Sequence, residues 1–389
     1  MDSKKILILS HKPPYPKVDG GSIAISQMIE ALLKIGHHVS LLYMETDKHP
    51  SLKEQFPKQL SHQSIFMDTR IGIIGACKNL FRRKSYILSR FHHKNFDKAL
   101  KSTLKKESFD VVLFESLFTS SYLPTISKNS HAKLIYRSHN IEHQIWENQS
   151  RLSSNPFVKL YLELQVKRLK RQEINFWKSV KNIASISITD SQKITALSNA
   201  NVNIVHLHAQ EKDLKLVDQS SKIDFFHLGA MDWKPNIQGI KWLIDEVWPR
   251  LKNSNTEIHL AGRKMPKELL ERAEAGLFIQ GEIENASQFT SQHKVLIVPL
   301  FIGSGMRVKI IEAMAQGKCI ICTKLAAQGI PFTHEENILI AETKTEFVDA
   351  INYCLQHSEK VEEIGKNARV FAADIFSQER VINQLNSLL

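Results

Sequence analysis

The sequence has few cysteines and no long hydrophobic run. Only four cysteines occur among 389 residues. No apolar run approaches the roughly 18 uninterrupted residues of a membrane span. The early apolar stretch KILILS is too short for a signal peptide and predicts a first β-strand. These absences, together with a length that suits about two domains, indicate a cytoplasmic globular protein.

Two nucleotide-binding fingerprints are also missing. No GxxxxGK[ST] motif occurs, which argues against a P-loop NTPase or helicase. The glycine loop after the first strand, Asp19-Gly20-Gly21-Ser22, is not GxGxxG, so the standard dinucleotide fingerprint is absent as well.

Cys319 and Cys322 have the spacing of a redox or zinc pair. They lie in an apolar stretch, KCIICT, that predicts a β-strand. Residues three apart on a strand point to opposite faces, so the two thiols can neither bridge nor share a metal. We therefore expect buried, reduced thiols at both positions.

Apolar strands alternate with helical stretches in both halves of the chain. The first half contains KILILS, HVSLLYM, DVVLFES, KLIYRSHN, ISITDS and VNIVHLH, with helices predicted at 22–35 and 94–107. The second half contains DFFHLGAM, EIHLAG, GLFIQGEI, KVLIVPL and KCIICTK. This alternation is typical of parallel sheets covered on both faces. We predict two α/β domains joined by a polar linker at 206–222, with ligands beyond the carboxyl ends of the strands.

The stretch 295–317, VLIVPLFIGSGMRVKIIEAMAQG, predicts a buried strand, a glycine turn and a helix that Gly317 closes. Unpaired N–H groups and the helix dipole make such a helix start an anion site. Arg307 and Lys309 add two cations near that start, where a diphosphate is the natural partner. Glu312 lies on nearly the same helix face and suits sugar hydroxyls. The alternative is a surface helix with a solvated Lys–Glu pair.

Two further positions are candidates for ligand contact. Gly20 and Gly21 allow a ligand to approach the backbone at a helix start, although glycines also serve ordinary turns. His139 follows the strand KLIYRS and suits a sugar hydroxyl, or it has only a structural role at the strand end. His143 completes a four-residue spacing that two zinc ligands use on a helix, but HNIEH is not HExxH and no third ligand is evident.

Positive charge is concentrated in the first half of the chain. Residues 1–200 hold 31 Lys and Arg against 16 Asp and Glu, whereas residues 201–389 hold 21 against 24. The stretches 78–94 and 166–181 interleave aromatic residues with cations and are predicted to be helical. Such stretches suit an anionic membrane surface or a nucleic acid, or they are solvated basic faces.

The stretch 295–317 resembles the donor-site signature of family 4 glycosyltransferases. The opening KKILILSHKPPYPKVDGGSIAISQMIEALLKIGHHVSLL, SHNIEH at 138–143, FFHLGAMDWKPNIQGIKWL at 225–243 and HLAGRKMP at 259–266 resemble family segments in the family's order. The resemblance implies the GT-B fold, an α/β architecture of two Rossmann-like domains facing across a cleft. It also implies an acceptor-side domain at 1–205, a donor domain at 223–375 and a final helix at 376–389 that returns to the first domain.

The same resemblance implies a set of site residues and no essential metal or cofactor. His139, Arg307 and Lys309 are the catalytic candidates, and Glu142 and Trp233 are acceptor candidates. The donor nucleotide set comprises Gly20, Gly21, Arg263, Glu282, Ile283, Gly303, Ser304, Gly305, Met306, Arg307, Lys309 and Glu312. The family often has a glutamate eight residues before Glu312, and this chain has Ser304 there.

The expected function is retaining transfer of a hexosyl group from a nucleotide-diphosphate sugar to an acceptor hydroxyl. The expected pathway is cell-surface polysaccharide or glycolipid synthesis, with the basic half on the inner membrane face and no nucleic-acid partner. Two alternatives remain from the residues alone. One is a sugar-nucleotide epimerase of the same fold, and the other is a nucleic-acid-binding protein that uses the basic half.

Overall fold

The computed structural model describes residues 2–209, 222–251, 255–303 and 305–389. The chain divides into two compact units, one comprising Met1–Leu207 with Val381–Leu389 and the other His208–Arg380. Each unit contains its own parallel β-sheet. Residues 210–221, which make up most of the predicted linker, lie outside the described residues.

The first unit is a seven-stranded parallel sheet with helices between most of the successive strands. Its strands are β1 (Lys5–Ser10), β2 (His38–Glu45), β3 (Ser61–Phe66), β4 (Val111–Glu115), β5 (Lys133–Ser138), β6 (Asn182–Ser185) and β7 (Asn201–Ile204). Its helices are α1 (Gly20–Ile35), α2 (Ile73–Leu80), α3 (Tyr86–Ser89), α4 (Lys94–Lys106), α5 (Leu123–Asn129), α6 (Glu142–Arg151), α7 (Pro156–Val180) and α8 (Ile188–Ser198). The strand order is β3-β2-β1-β4-β5-β6-β7, so it reverses between β1 and β4.

Strand β1 is apolar because both faces of this sheet are covered. Leu7 and Leu9 pack into one hydrophobic core, and Ile6 and Ile8 pack into the other. All four side chains are fully buried. A parallel sheet between two helix layers requires such continuous apolar strands, which is why KILILS is recognisable in the sequence.

The second unit repeats this plan with six strands. Its strands are β8 (Phe225–Leu228), β9 (Ile258–Ala261), β10 (Leu277–Gly281), β11 (Val295–Val298), β12 (Cys319–Cys322) and β13 (Leu339–Ile340). Its helices are α9 (Lys234–Trp242), α10 (Lys267–Leu270), α11 (Ala286–Gln292), α12 (Val308–Ala315), α13 (Lys344–Gln356) and α14 (Ser358–Ile375). The strand order is β10-β9-β8-β11-β12-β13, with the reversal between β8 and β11.

The last helix, α15 (Gln378–Leu388), contributes to the core of the first unit. Its Val381, Leu385 and Leu388 pack in the cluster that contains Ile6 and Ile8 of β1. Lysine ammonium groups from β5 and from the residue before β1 contact the carbonyl oxygens of Leu388 and Leu389, at 2.8 and 2.5 Å. The first unit is therefore built from both ends of the sequence.

The two cysteines of β12 are buried and form no disulfide, as the sequence predicts. A hydrogen bond with Cys354, and burial, raise the pKa of Cys319 well above its usual value. Burial also raises the pKa of Cys322. Both thiols are therefore protonated at neutral pH and behave as small core residues.

Residues 186–191, ISITDS, do not form the strand that their alternating pattern predicts. Strand β6 ends at Ser185, and α8 begins at Ile188. The Ser187 hydroxyl oxygen accepts a hydrogen bond from the Asp190 backbone N–H at 3.1 Å and caps the helix. Strand β3, in contrast, was not predicted because SHQSIF is polar and largely exposed.

The basic stretch 78–94 is not one helix, so that prediction is wrong. It includes the end of α2, the single turn α3 and the first residue of α4. The stretch 166–181 is helical as far as Val180, where α7 ends, but its Phe176 and Trp177 are buried in the core. No helix of the described residues is long and apolar enough to cross a bilayer.

Candidate functional site

The carboxyl ends of β8, β9, β10 and β11 meet at one edge of the second sheet, because these strands are parallel neighbours. Trp233 follows β8, Arg263 follows β9, and Glu282 and Ile283 follow β10. The segment 301–309 follows β11. The strand order reverses between β8 and β11, where open α/β sheets bind their ligands. We call this region the second-sheet edge.

Helix α12 begins at Val308, directly after the glycine turn. Arg307 is its N-cap residue, and no side chain caps its first turn. The helix is closed by Gly317, whose φ is 71° and whose N–H donates to the Met314 carbonyl oxygen at 2.9 Å, as the sequence predicts. The start of α12 therefore combines a helix dipole with two basic side chains, which favours an anion.

The Lys309 ammonium is held by neutral groups. Its Nζ lies 3.2 Å from Asn236 Oδ1 and 3.3 Å from His227 Nε2. His227 Nδ1 donates to the Ile297 carbonyl oxygen at 2.8 Å, which leaves Nε2 as an acceptor. Burial and then the charge of Arg307 lower the pKa of Lys309 to about 7. The free protein therefore holds this cation close to its titration point.

Gly229, the first residue after β8, leaves the space that the Lys309 ammonium occupies. A Cβ atom on Gly229 would lie 2.7 Å from both Lys309 Nζ and Asn236 Nδ2, and 2.9 Å from His227 Nε2. Real Cβ atoms essentially never approach heavy atoms so closely. The absence of a side chain at this position thus keeps Lys309 at the second-sheet edge.

The Arg307 guanidinium packs on an aromatic ring. Its central carbon lies 5.1 Å from the Trp233 ring centroid, and its Nη1 donates to the Gly305 carbonyl oxygen at 2.5 Å. Gly303, with φ of 116°, leaves room for both side chains. Burial lowers the pKa of Arg307 to about 10. Trp233, an acceptor candidate in the sequence, is thus placed against a donor candidate.

The other donor candidates differ in their burial and in their contacts. Glu312 is half-buried on α12, and Met306 is buried. Arg263 Nη2 lies 3.4 Å from Asp232 Oδ2, so this guanidinium is paired with a carboxylate. Ser304 lies outside the described residues.

Polar side chains also meet at the carboxyl ends of β1, β4 and β5, which we call the first-sheet edge. His11 follows β1, Ser116 follows β4 and His139 follows β5. His11 Nδ1 lies 2.7 Å from Ser116 Oγ. Ser116 adopts φ of 91°, a strained conformation for a residue other than glycine and one that clusters at functional sites. Burial, and then the charge of Lys12, lower the pKa of His11 well below its usual value.

His139 is held by a buried ion pair. Glu115 Oε1 lies 2.9 Å from Arg137 Nη1 and 3.3 Å from His139 Nε2. Arg137 Nη1 also donates to the Ala24 carbonyl oxygen at 2.7 Å. Burial raises the pKa of Glu115, but the charges of Arg137 and His139 outweigh it and hold this pKa below its usual value. Glu115 is therefore ionised and fixes the His139 ring.

Gly20 and Gly21 form the first turn of α1. Asp19 caps this helix and accepts a hydrogen bond from Lys12 Nζ at 2.6 Å. A Cβ atom on Gly21 would collide with the Lys12 ammonium. Gly21 therefore makes room for a cation of the protein itself, whereas Gly20 is exposed.

His139 and His143 contact different carboxylates, which argues against a shared zinc ion. His143 Nδ1 lies 2.7 Å from Glu173 Oε2, while His139 faces Glu115. The neighbouring Glu142 is buried, and burial and then the Glu173 charge raise its pKa to about 8. Glu142 is thus mainly protonated at neutral pH and able to donate a hydrogen bond.

A further histidine cluster lies at the opposite, amino-terminal edge of the second sheet. It consists of Asp224, His259 and His293, whose ligand-type atoms lie within 4.8 Å of one another. His293 Nδ1 is only 2.5 Å from Asp224 Oδ2, a hydrogen-bond distance. The Asp–His pair is therefore satisfied within the protein.

Residues 222–357 match the family model described as Glycosyl transferases group 1. The matched segment contains Trp233, Arg263, Arg307, Lys309 and Glu312 of the second-sheet edge. The segment 222–357 belongs to the group 1 glycosyltransferases. The glycosyltransferase is 21% identical over 395 residues to an uncharacterized 44.6 kDa protein in the cps region of Klebsiella pneumoniae, with 98% of each chain covered.

Solved structures share the fold of the glycosyltransferase along its whole length. Sucrose-phosphate synthase from Thermosynechococcus elongatus matches with a TM-score of 0.73 at 15% identity, covering 99% of this chain and 98% of that one. HepE from Anabaena, in complex with UDP and glucose, matches with a TM-score of 0.67 at 14% identity and the same coverage. At this low identity the likeness establishes the GT-B fold, as the sequence predicts.

Sequence analysis of the glycosyltransferase missed the groups that hold its candidate side chains. His227 and Asn236 contact Lys309, while Glu115 contacts His139. His11 and Lys12 at the first-sheet edge were missed as well. Their place directly after the first strand, where the strand order reverses, was the one indication that the sequence offered. The partners themselves come from distant parts of the chain and leave no local pattern.

Proposed function

We propose that the glycosyltransferase moves a hexosyl group from a nucleotide-diphosphate sugar to an acceptor hydroxyl with retention of configuration. The second-sheet edge would bind the donor, and the first-sheet edge would contact the sugar and acceptor. The observation that carries this proposal is the pair of cations at the start of α12, of which Arg307 is buried and Lys309 half-buried. Desolvated cations at a helix N-terminus are unfavourable unless an anion binds there.

The diphosphate leaving group accounts for the chemistry of this edge. As the sugar–oxygen bond breaks, negative charge grows on the diphosphate and positive charge on the sugar ring. Arg307, Lys309 and the N–H groups of α12 would stabilise that growing negative charge, which is electrostatic catalysis. Trp233 keeps the Arg307 guanidinium in place, and Asn236 with His227 keeps Lys309 in place. Glu312 would accept hydrogen bonds from the ribose hydroxyls.

His139 is the proposed contact to the donor sugar or the reacting oxygens. Its ring is fixed by ionised Glu115, so its orientation costs little entropy when a substrate binds. Glu142, protonated at neutral pH, would donate a hydrogen bond to an acceptor hydroxyl. Gly20 lies at the exposed start of α1, where it would allow the substrate close to the backbone.

Three relatives support the proposed substrates. HepE from Anabaena was solved with UDP-glucose, and TarM of S. aureus with UDP and alpha-GlcNAc-glycerol. The Klebsiella pneumoniae relative lies in a cps region. We propose a uridine diphosphate sugar as donor and a cell-surface polysaccharide or glycolipid intermediate as acceptor, reached at the inner membrane face.

Calorimetric titration with UDP, GDP, ADP and CMP tests the donor site first. We expect one diphosphate to bind the wild type and to bind Arg307→Ala about tenfold more weakly, equivalent to about 1.4 kcal/mol. Arg272→Ala is the matched control, because Arg272 is an exposed arginine of the same unit paired with Asp245. No binding of any diphosphate to the wild type would overturn the proposal.

Product stereochemistry tests the second part. With a donor of known α-configuration and a simple acceptor alcohol, proton NMR of the initial product should show the α-anomer. Initial formation of the β-anomer would refute retention while leaving the donor site intact. Formation of an isomerised free sugar without any acceptor would instead indicate an epimerase.

A further inference from the structure

Exposed large hydrophobic residues are concentrated in two segments of the first unit. Ten of the 21 such residues in the described part of the chain lie within 70–84 and 152–164. Phe81 is 94% exposed, Ile73 83% and Phe157 82%. Single exposed apolar side chains are ordinary, but a group of this density marks a contact surface.

Helix α2 exposes its large apolar residues and buries a polar one, which is the reverse of an ordinary surface helix. Its one buried residue is the polar Asn79, and Gly75 is half-buried against the Tyr86 hydroxyl. The large residues Ile73 and Ile74 lie on the solvent side. A helix that packs through small and polar residues and exposes its isoleucines is unfavourable in water alone. The pattern indicates that α2 presents its apolar face to something outside the chain.

Hydrogen bonds fix α2 to α7, the helix that contains most of the second segment. Arg168 of α7 donates to the carbonyl oxygens of Asn79 and Leu80, both at 2.9 Å. Gln165 Nε2 donates to Asn79 Oδ1 at 3.1 Å, and Gln165 Oε1 accepts from the Tyr86 N–H at 2.7 Å. These bonds hold α2, with its exposed apolar residues, against α7. We call residues 70–84 and 152–164 together the α2–α7 surface.

The first segment of this surface carries charge of one sign only. Residues 70–84, RIGIIGACKNLFRRK, contain five cations and no acidic residue. Among the described residues, Lys78, Arg82, Arg83 and Lys84 are exposed and take part in no ion pair, unlike Arg70, which pairs with Asp68. Cations beside protruding aliphatic and aromatic side chains suit the headgroups and acyl boundary of an anionic bilayer. The core of a protein–protein interface is instead depleted of lysine.

We propose that the α2–α7 surface docks the glycosyltransferase on an anionic lipid bilayer, with Ile73, Ile74 and Phe81 inserted below the headgroups. The cations of 78–84 contact the headgroup phosphates. This inference deepens the proposed function, since it names the surface that brings the enzyme to a lipid-borne acceptor. It keeps the first part of the stretch 78–94, which contains Phe81, and drops the rest of that stretch and 166–181, where Phe91, Phe176 and Trp177 are buried.

Vesicle flotation of the full chain tests the surface. Vesicles of phosphatidylcholine with phosphatidylglycerol are compared with vesicles of phosphatidylcholine alone. We expect binding only to the anionic vesicles, weakened by added salt. The variants Ile73→Ser/Ile74→Ser/Phe81→Ser and Arg82→Gln/Arg83→Gln/Lys84→Gln should each lose about tenfold in binding. All six side chains are exposed, so both variants should fold normally.

Matched controls separate this surface from general charge and hydrophobicity. Lys98→Gln/Lys105→Gln/Lys106→Gln removes three exposed cations of α4, and Val370→Ser removes an exposed valine. Both controls should bind vesicles like the wild type. Equal binding by all variants, or no binding by the wild type, would overturn the proposal. So would a dimer, or a complex with random DNA, that forms without vesicle binding and is lost in the surface variants.

UDP calorimetry on the same variants separates the two proposals. Unchanged UDP affinity with lost vesicle binding supports the α2–α7 surface and keeps the donor site. If the wild type binds vesicles but no diphosphate, the proposed function is refuted, while the α2–α7 surface remains the membrane-docking surface.

Discussion

Lys309 combines two properties that usually exclude each other, a desolvated site and a role that requires positive charge. Burial and Arg307 lower its pKa to about 7, whereas a diphosphate would favour its charged form. Ligand binding should therefore raise the pKa of this ammonium and take up a proton. The residue is set up to become fully charged when the donor arrives.

The pH dependence of nucleotide affinity tests this coupling. Between about pH 7 and 9 the free protein loses the Lys309 proton, and binding must restore it. The affinity for UDP should fall with rising pH by up to about tenfold per pH unit, with proton uptake visible as a buffer-dependent enthalpy. Lys309→Arg, which stays charged, should lose this dependence although it meets the same ligand. Parallel pH profiles for the two proteins would contradict the assignment.

Gly229 should influence binding only through Lys309. A methyl group at Gly229 displaces the ammonium, so we expect Gly229→Ala to weaken UDP binding by about tenfold, equivalent to about 1.4 kcal/mol. Calorimetry on Gly229→Ala, Lys309→Met and the double variant completes a cycle. Coupling predicts that the double variant binds as weakly as Lys309→Met alone. Fully additive losses would show that Gly229 acts in another way.

At this scale the sequence reveals the candidate side chains but not their environment. Arg307 and Lys309 are recognisable because strand, glycine turn and helix are neighbours in the chain. The contacts of Lys309 with His227 and of His139 with Glu115 join residues 82 and 24 positions apart. Such pairs depend on which strands become neighbours in the sheet, and no local spacing encodes that choice.

Helix α12 is the element on which the proposed chemistry depends, and Gly317 fixes where it ends. The backbone of Gly317 is left-handed, with φ of 71°. Its place beyond the last turn matches the apolar pattern of 308–315, which is why the helix was predictable.

Replacing Gly317 by alanine should destabilise the protein by about 1 kcal/mol, because a Cβ atom disfavours this backbone conformation. Gly72→Ala is the control, since φ of Gly72 is −102° and its Cβ position has only ordinary contacts. Chemical denaturation followed by circular dichroism measures both. Equal stabilities of the two variants would contradict the role of the cap.

The elements that were predicted wrongly share a cause. The pattern I-S-I-T at 186–189 has the period of a strand, yet the Ser187 cap begins a helix there. In the stretch 78–94, charge and aromatic content suggested a helix face, whereas Ile87, Leu88 and Phe91 are core residues in short turns. Composition identified neither break, because tertiary packing decides where these short segments turn.

At the scale of the whole molecule, the two units have the same plan and opposite charge. Their strand orders both reverse once, and each reversal gathers polar side chains at one sheet edge. The alternation of strands and helices was enough to predict this plan. The excess of basic residues in the first half was also visible, but the exposed apolar side chains beside the cations of 78–84 could be found only from the structure.

Hydrogen exchange with mass spectrometry would show which unit binds the nucleotide. UDP should slow amide hydrogen exchange at 229–236 and 301–312, because a bound ligand stabilises the folded conformation of the segments that contact it. The strands β2, β3 and β7 of the first unit should exchange unchanged. Arg307→Ala should remove the protection at the same UDP concentration. Protection confined to the first unit would place the nucleotide site there instead.

Helix α15 has a consequence for how the chain folds during synthesis. Val381, Leu385 and Leu388 belong to the core around β1, so the first unit lacks part of its interior until the last residues emerge. At about 5–20 residues per second, the intervening 208–380 segment takes about 9 to 35 seconds to translate. The second unit can therefore complete its own core before the first unit has received the core residues of α15. The part of the protein that is made first is the last to be finished.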